Sequence, residues 1–218
     1  MTDFVLVRHG ETVWHAENRF AGRSDVSLNR HGFDQADALG VWAVGRRIDA
    51  VFHSPLARAR CTAAPAVRAL GLRARVDDRL AEVAFGRAEG LTMAEMQERF
   101  PERLAAFLRD PVAHHLPGGE DPRAAARRAH DALRDIAEEF PGGRVLVVAH
   151  SALFRLLLCR LLGIPLAEYR RVLPRIDNAT LTEVRLSRDR AALLRYNAPI
   201  RQRAAAKTRP RLLEGKLS

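Results

Sequence analysis

Cysteine is nearly absent from the chain, which has only Cys61 and Cys159 among its 218 residues. Two cysteines cannot build the disulfide framework of a small secreted protein, and the start, MTDFVLV, has none of the features of a signal peptide. Long hydrophobic runs are absent too, because the most apolar stretch, 145–162, is interrupted by a histidine and two arginines and falls short of the ~20 residues of a membrane span. We therefore expect a cytoplasmic protein that does not enter the membrane.

Lysine is also scarce, and both lysines, Lys207 and Lys216, lie near the carboxyl terminus. Residues 201–218 hold six basic residues and one acidic residue, which is half of the net charge of +10. This composition predicts a disordered basic tail. Such a tail can attract nucleic acid or an acidic partner, but it lacks the aromatic residues on which single strands stack, so we favour a solubilising segment and expect no nucleic-acid partner.

What the chain does have is the composition of a globular domain, with 47% hydrophobic and 28% charged residues. Short apolar runs predict strands at 4–7, 49–53, 72–76, 144–150, 179–186 and 191–196. Longer amphipathic segments separate the first four runs, and only four residues separate the last two, as in a hairpin. We therefore predict an α/β domain over 1–200: a three-layer sandwich with a mostly parallel sheet and one antiparallel strand.

The ends of four helices are visible in the sequence. Capping residues, proline at the first helical position and terminal glycines predict helices from Asn29 to about Gly45, from Ser54-Pro55 to Gly71, from Asp121-Pro122 to about Phe140, and from His150 to Gly163. The segment 91–120 has helical patches and no strand-like run. With the helix that follows, it predicts a helical cover over a pocket, at about 91–140.

Reactive side chains stand where three predicted strands end. They are Arg8 and His9, then His53 and Ser54 with Arg58 shortly after, and finally His150 and Ser151. Ligand sites of open α/β sheets lie at the carboxyl ends of the strands, so we expect these groups to meet. Arg58 would lie in the first turn of its helix, where the macrodipole disfavours a cation unless an anion is bound. His150-Ser151 would precede another helix amino terminus, which attracts anions. The set predicts a phosphate pocket.

In their order along the chain, several motifs resemble the histidine phosphatase superfamily, the phosphoglycerate-mutase-like fold. The resemblance covers about residues 4–197. The motifs that carry it are Arg8-His9-Gly10-Glu11-Thr12, Ser54-Pro55-Leu56-Ala57-Arg58-Ala59, Glu82 with Phe85-Gly86 and Glu89-Gly90, and Ala149-His150, with weaker similarity at Pro117-Gly118-Gly119-Glu120 and Asn178-Ala179-Thr180.

The resemblance implies a role for each matching residue. His9 would be the nucleophile that becomes phosphohistidine, Glu82 the proton donor, and Arg8, Arg58 and His150 the groups that hold the phosphoryl oxygens. These residue types suit the reaction, because phosphoryl transfer needs positioning and positive charge, which arginines supply without a metal. The eight histidines and two cysteines include no His-x-x-x-His or Cys-x-x-Cys pair, so we expect no metal and no cofactor.

The chain departs from the pattern of the family at three positions. His15 stands where an asparagine usually meets the phosphate, Ser151 replaces a glycine, and Asp121 replaces a serine. We assign His15 and Ser151 to the phosphate-binding set. An imidazole at position 15 would make phosphate binding stronger as the pH falls through the histidine range. The alternative is that His15 turns to solvent beside Trp14.

The leading hypothesis is a phosphomonoester hydrolase that acts on a small phosphorylated metabolite. The first alternative is a phosphoglycerate-type mutase, but Met93 stands where that branch has a lysine, and Arg109 alone lies near the place of its arginine pair. A second alternative, from another class, is a catalytically weak binding or regulatory protein, indicated by His15 and the basic tail. The substrate is left open, as is homo-oligomerisation. Four apolar residues could line the pocket mouth or lie in the core: Trp14, Phe85, Phe107 and Leu116.

Overall fold

The computed structural model describes residues 1–188 and 190–200. Its centre is one six-stranded sheet of β1 (Thr2–Arg8), β2 (Ala50–His53), β3 (Ala74–Val76), β4 (Arg144–Ala149), β5 (Leu181–Leu186) and β6 (Ala191–Ala198), in the order β3-β2-β4-β1-β5-β6. The first four strands are parallel, whereas β5 is antiparallel to both β1 and β6. Only β5 therefore runs against the others within the described sheet, and the predicted fold class is confirmed.

Helices cover both faces of the sheet. They are α1 (Arg30–Ala43), α2 (Ala57–Leu70), α3 (Met93–Arg99), α4 (Pro101–Arg109), α5 (Pro122–Glu139), α6 (Ser151–Leu162) and the short α7 (Tyr169–Val172). Alternate residues of β1 point to opposite layers: Phe4 and Leu6 pack with α5 and α6, whereas Val5 and Val7 pack with α1 and α2. This alternation on a central, fully covered strand explains why its run is continuously apolar.

Most predicted helix ends are confirmed. The Asn29 side chain caps α1 by accepting a hydrogen bond from the Gly32 amide at 2.8 Å, and Asp121 caps α5 in the same way through the Arg123 amide at 2.8 Å. Gly71 and Gly163 end α2 and α6 with φ of 66° and 70°, the left-handed backbone that favours glycine. These ends follow from local chemistry, which is why the sequence alone reveals them.

The predicted cap of α2 is wrong. The helix begins at Ala57, and its capping position is Leu56, which makes no side-chain capping bond. The Ser54 hydroxyl instead lies 2.7 Å from Nε2 of His150 and accepts a weaker bond from the Leu56 amide at 3.3 Å. The Ser54 side chain therefore contacts a residue that follows the neighbouring strand β4, and it does not cap α2 as its position in the sequence predicts. Arg58 still lies in the first turn.

The predicted cover at 91–140 consists of two different parts. Helices α3 and α4 form a small separate core with Phe20 and Phe85, and this part lies beside the pocket described below. Helix α5 instead packs into the main core against the sheet, through residues such as Ala129 and Leu133. The idea of a cover therefore suits α3 and α4 but not α5. The predicted basic tail at 201–218 lies outside the described residues.

Candidate active site

A cavity of about 250 Å³ lies at the carboxyl ends of β1 and β4. Six of the predicted site residues line it: Arg8, His9, His15, Arg58, Glu82 and Ser151. The seventh, His150, is fully buried beside them, with its ring centroid 5.2 Å from that of His9. They meet because β4 lies between β1 and β2 in the sheet, so that the segments leaving these strands converge.

The His9 ring is oriented by its own backbone neighbour. Its Nδ1 lies 2.7 Å from the Gly10 carbonyl oxygen, which can only accept a hydrogen bond, so Nδ1 carries the proton and Nε2 keeps a lone pair. Burial, followed by the charges of Arg8 and Arg58, holds the pKa of His9 well below its usual value. The imidazole is therefore neutral at physiological pH and has one nitrogen available for attack.

Arg8 is fixed from two sides. Its Nη1 donates to the Ile176 carbonyl at 2.7 Å, and its Nη2 donates to Nε2 of His15 at 2.8 Å. Within residues 1–188 and 190–200 its Nε is buried without a hydrogen-bond partner. Burial lowers the pKa of Arg8 to about 10, so the guanidinium remains charged at neutral pH.

Arg58 is almost fully buried and is held by backbone carbonyls rather than by a carboxylate. Its Nη1 and Nη2 donate to the carbonyls of Ser24 and Gly22 at 2.7 and 2.6 Å. The Glu89 carboxylate fixes this loop by accepting from the amide and the hydroxyl of Ser24 at 2.8 and 2.6 Å. In the described part of the chain Arg58 has no ion pair, and its Nε has no partner. A buried cation without a counter-ion is costly, and an anion in the cavity would remove that cost.

His150 supplies a further buried polar atom. Its Nε2 lies 2.7 Å from the Ser54 hydroxyl, which can donate to this nitrogen or accept from it. Its Nδ1 is buried and has no hydrogen-bond partner among the described residues. Burial, more than the charge of Arg58, lowers the pKa of His150 well below its usual value, so the ring is neutral.

Glu82 is held at the amino terminus of α6. Its Oε1 accepts from the amides of Val83 and Leu153 at 2.9 Å each, and its Oε2 accepts from the Ala152 amide at 3.2 Å. Two of the first amides of α6, which we expected to be open to an anion, are therefore taken by this carboxylate. Ser151, the first residue of α6, does line the cavity.

Arg128 of α5 positions the loop that carries Glu82. It donates to the carbonyls of Arg79, Ala81 and Glu82 at 2.6, 2.7 and 3.2 Å, and it is paired with Glu120 at 2.7 Å. This residue was not predicted from the sequence. The available signal was an arginine within a helix face of buried alanines, since a charged residue in such a place usually has a fixed partner.

His15 points into the site, so the alternative that it turns to solvent beside Trp14 is wrong. Its Nε2 accepts from Arg8, and its Nδ1 lies 2.8 Å from the Thr12 hydroxyl. Burial, together with the charge of Arg8, lowers the pKa of His15 to about 4. In the free protein the ring is therefore neutral in the usual histidine range, because a second proton would have to sit between the ring and a cation. The expected strengthening of phosphate binding at lower pH then requires the bound anion to raise this pKa, and it stays a prediction.

We expect His15→Asn to leave the pH dependence of vanadate binding unchanged between about pH 6.5 and 8, because the wild-type ring is already neutral there. The asparagine carbonyl can replace Nε2 as the acceptor for Arg8, so affinities should agree within about threefold. Dissociation constants measured across this range test the prediction. If the wild-type affinity rose towards pH 6.5 while that of the mutant stayed constant, the bound anion would have raised the pKa of His15 into this range.

Several cavity residues were not anticipated. Arg155, on α6, and Tyr169 and Arg170, on α7, form one side of the cavity, and Arg19 and Phe20 form another. Of the four apolar residues proposed for the mouth, Phe85 and Phe107 line the cavity. Leu116 instead lies in the small core formed with α3 and α4, and Trp14 is outside the lining.

Neither a metal site nor a membrane span is found among the described residues. Residues 1–188 and 190–200 contain no group of three or more histidine, cysteine, aspartate or glutamate side chains arranged to hold a metal ion. In the same part of the chain, every helix is too short or too polar to cross a bilayer.

Comparison with known proteins relates this site to one family. The family model described as the histidine phosphatase superfamily (branch 1) matches residues 4–199. Phosphoserine phosphatase 1 of Hydrogenobacter thermophilus is 28% identical over 197 residues, which cover 90% of this chain and 92% of that protein. A protein of Salmonella choleraesuis named probable phosphoglycerate mutase is 33% identical over 187 residues, 84% of this chain and 85% of its own. The structure of a mycobacterial glucosyl-3-phosphoglycerate phosphatase matches with a TM-score of 0.83 and 30% identity over 90% of this chain and 98% of its own.

Proposed function

This chain belongs to the histidine phosphatase superfamily, and from that premise we propose that it hydrolyses the phosphomonoester of a small metabolite through a phosphohistidine on His9. One observation carries the proposal more than any other. The His9 ring presents an unprotonated Nε2 in a cavity with the buried Arg58 and the partly buried Arg8, neither of which has an ion-pair partner among the described residues. A nucleophile beside unpaired cations is what attack on a phosphate dianion requires.

In the first step, Nε2 of His9 attacks phosphorus while the bond from phosphorus to the ester oxygen breaks. The leaving oxygen takes the electron pair of that bond and a proton, and the phosphoryl group stays on the ring. In the second step, water attacks the phosphohistidine, the bond from phosphorus to nitrogen breaks, and inorganic phosphate leaves. His9 ends the cycle neutral, as it began.

The charge around the phosphoryl group is supplied by Arg8, Arg58 and His150. Both arginine Nε atoms are buried donors without partners in the described part of the chain, and donors fixed in advance stabilise the charge of the transition state. The Nδ1 of His150, also buried without a partner, is a third donor in the tautomer that protonates it. Because the neighbouring carbonyls already hold the guanidinium groups, little reorganisation is needed when the substrate arrives.

We assign proton transfer to Glu82, the one acidic side chain among the described residues that line the cavity. As a carboxylate it accepts three amide hydrogen bonds. This deprotonated form is the one that takes a proton from water in the second step. In the first step Glu82 would have to carry the proton and release at least one of these amides.

The volume of the cavity, about 250 Å³, favours a small substrate, since pockets for drug-sized ligands span ~300–1,000 Å³. The names of the relatives identify phosphoserine, glucosyl-3-phosphoglycerate and phosphoglycerate as ligands of those proteins. All three are phosphorylated metabolites, which supports the same class of substrate here. A cytoplasmic location and the absence of nucleic-acid partners stay predictions.

A phosphoglycerate-type mutase is the second candidate, and the name of the Salmonella relative favours it. The two positions at which the mutase pattern was expected, Met93 and Arg109, do not support this candidate. Met93 is partly exposed at the start of α3, Arg109 ends α4, and neither lines the cavity. Other arginines do line it, however, so a second acidic group of the substrate has possible partners. The binding or regulatory alternative has less support, because the full set of reactive side chains is brought together.

With 3-phosphoglycerate and a bisphosphoglycerate primer, we expect release of inorganic phosphate to exceed formation of 2-phosphoglycerate by at least about tenfold. The reason is that the cavity does not include the positions from which the mutase pattern holds its substrate for a second transfer. Parallel assays of free phosphate and of 2-phosphoglycerate on the same samples give the ratio. Mutase turnover in excess of hydrolysis would make the second candidate the correct one.

A further inference from the structure

The peptide group between His9 and Gly10 is held at both ends by side chains that are distant in the sequence. Its carbonyl oxygen accepts a hydrogen bond from Nδ2 of Asn178 at 2.9 Å. Its amide donates to the Thr62 hydroxyl at 2.8 Å, and this hydroxyl in turn donates to the Arg58 carbonyl at 2.7 Å. Asn178 lies in the loop before β5, and Thr62 lies on α2. The plane of this peptide therefore cannot rotate without the loss of two hydrogen bonds.

The next peptide group, between Gly10 and Glu11, is held in the same way. Its amide donates to Oε1 of Gln35, which lies on α1, at 2.9 Å. Its carbonyl oxygen is the group that accepts the hydrogen bond from Nδ1 of His9. Gln35 therefore fixes the direction of the acceptor that keeps the proton of the His9 ring on Nδ1.

Gly10 allows this segment to lie close enough to α1 for the bond to Gln35 to form. A Cβ atom at position 10 would lie 2.5 Å from the carbonyl oxygen of Gly32, in the first turn of α1, so a larger residue would require a shift of the backbone. The segment that carries the nucleophile is therefore packed against this helix as well as bonded to it.

The side chain of Asn178 is presented by a turn with an unusual backbone. Ala179 has φ of 53°, in the left-handed region that residues other than glycine rarely adopt. Its amide donates to the Arg8 carbonyl at 2.9 Å, and the Asn197 side chain secures the turn by accepting from the Asp177 amide at 2.7 Å. A backbone of this kind persists only where its surroundings determine it. The turn places the side chain of Asn178 beside the nucleophile.

Thr62, Gln35 and Asn178 are outside the cavity lining formed by the described residues. What they contribute to the site therefore passes through the backbone of His9 and Gly10. The orientation of a nucleophile matters because a displacement of about 1 Å can lower a rate by about 10²-fold. Its tautomer matters as well, because only the ring that is protonated on Nδ1 has a lone pair on Nε2.

We propose that Thr62, Gln35 and Asn178 are positioning residues, which fix the orientation and the tautomer of the His9 ring through the two peptide groups beside Gly10. This inference rests on the proposed phosphatase function, since it assigns how the nucleophile of that reaction is held. The three side chains come from α2, α1 and the loop before β5, so three separate elements of the fold set the position of one imidazole.

The test compares variants that remove one of these hydrogen bonds with variants that keep it. The bond-removing variants are Thr62→Val, Gln35→Met and Asn178→Ala, and they should lower kcat for p-nitrophenyl phosphate by about 10–10²-fold. Thr62→Ser keeps the hydroxyl, and Gln35→Glu keeps an oxygen that can accept from the Glu11 amide. These two variants should stay within about threefold of the wild type.

Two further measurements separate positioning from a general loss of structure. The dissociation constant for inorganic phosphate should stay within about threefold of the wild-type value, because Arg8 and Arg58 are in place to hold the anion. In protein labelled with ¹⁵N-histidine, the nitrogen chemical shifts of the His9 ring should show only the Nδ1-protonated tautomer in the wild type. The bond-removing variants should show a mixture of the two tautomers.

Thr2→Val is the matched control for Thr62→Val. Thr2 is also a buried threonine, and it lies at the other end of β1, where its hydroxyl donates to the Phe140 carbonyl at 2.9 Å. The control loses a buried hydroxyl but should keep both the wild-type kcat and the single tautomer of His9.

Unchanged kcat together with a single His9 tautomer in the bond-removing variants would overturn the inference. A loss of phosphate affinity as large as the loss of kcat would also overturn it, because the site as a whole would then be damaged. If the wild type hydrolysed neither p-nitrophenyl phosphate nor any other phosphomonoester, the proposed function would be wrong. The chemical shifts of His9 would still show, in that case, whether the three side chains hold the ring.

Discussion

His9→Ala should lose nearly all phosphatase activity, with kcat lower by on the order of 10⁴-fold or more, as expected when the nucleophile of a covalent mechanism is removed. The His9 ring has the geometry and the charge state of a nucleophile. Its Nδ1 is tied to the Gly10 carbonyl, its Nε2 is free, and its low pKa keeps it unprotonated. Alanine leaves the arginines in place, so the variant should still bind phosphate while being unable to accept the phosphoryl group.

Rapid acid-free quenching during the first turnover, with substrate labelled in the phosphate, measures this directly. A label that is stable in base, labile in acid and located on His9 by peptide mapping is expected in the wild type and absent from His9→Ala. His15→Asn is the matched control, because it removes the neighbouring histidine, whose ring centroid is 6.0 Å from that of His9, and should still be labelled. A label on His150 instead would contradict the assignment.

The same mechanism needs no metal, because arginines provide the positive charge. Activity should therefore persist in EDTA. If EDTA abolished activity and a divalent ion restored it, the positive charge at the phosphoryl group would come from a metal ion and not from the arginines alone.

The residues that could be predicted from the sequence are those whose position follows from topology or from a motif. Arg8 ends β1 and His9 follows it, while His150 follows β4. The two strands are neighbours in the sheet, so the meeting of these residues is a consequence of parallel pairing. Glu82 does not follow a strand, and only the resemblance to a family identified it. The structure supplies the physical reason for its place, which is the pair of α6 amides that bind its carboxylate.

The residues that could not be predicted depend on contacts between distant segments. Ser54 has the sequence context of a helix cap, but its hydroxyl contacts His150, which is 96 positions away. Arg155 interrupts an apolar helix pattern, which predicts a surface residue. In the structure its guanidinium contacts Tyr169 of α7 and the Leu173 carbonyl. Local propensity carries no information about which side chain a distant strand or helix will bring close, so both assignments required the tertiary structure.

Glu82→Gln should slow the hydrolysis of an alkyl phosphate by about 10²–10⁴-fold and that of p-nitrophenyl phosphate by much less. The alkoxide of a sugar or glycerol phosphate needs a proton as it leaves, whereas nitrophenolate is a stable anion and leaves without one. Glutamine keeps the shape of the side chain and one oxygen that can accept from the Val83 and Leu153 amides. It cannot donate and then recover a proton as a carboxylic acid does.

The substitution also has a structural cost that must be separated from the chemical one. The glutamine NH₂ would face the Ala152 amide, so that two donors meet where the carboxylate now accepts a hydrogen bond. Glu89→Gln is the matched control, because Glu89 is also a partly buried carboxylate held by backbone amides but lies outside the cavity lining. It acts on the site through the loop that holds Arg58 and through the Phe85 amide, and it lies outside the lining, so its loss should be equal for the two substrates.

The ratio of kcat/KM for the alkyl and the nitrophenyl substrate, in each variant, is therefore the decisive quantity. Glu82→Gln should lower this ratio, and Glu89→Gln should leave it near the wild-type value. Burst kinetics with p-nitrophenyl phosphate must accompany these assays, because the proposed mechanism also uses Glu82 as the base for water. If hydrolysis of the phosphohistidine limits turnover, the burst amplitude will stay full while the steady state slows, and the first step is then compared from the burst alone. An unchanged ratio under those conditions would remove Glu82 from the role of acid and leave it only the role of base.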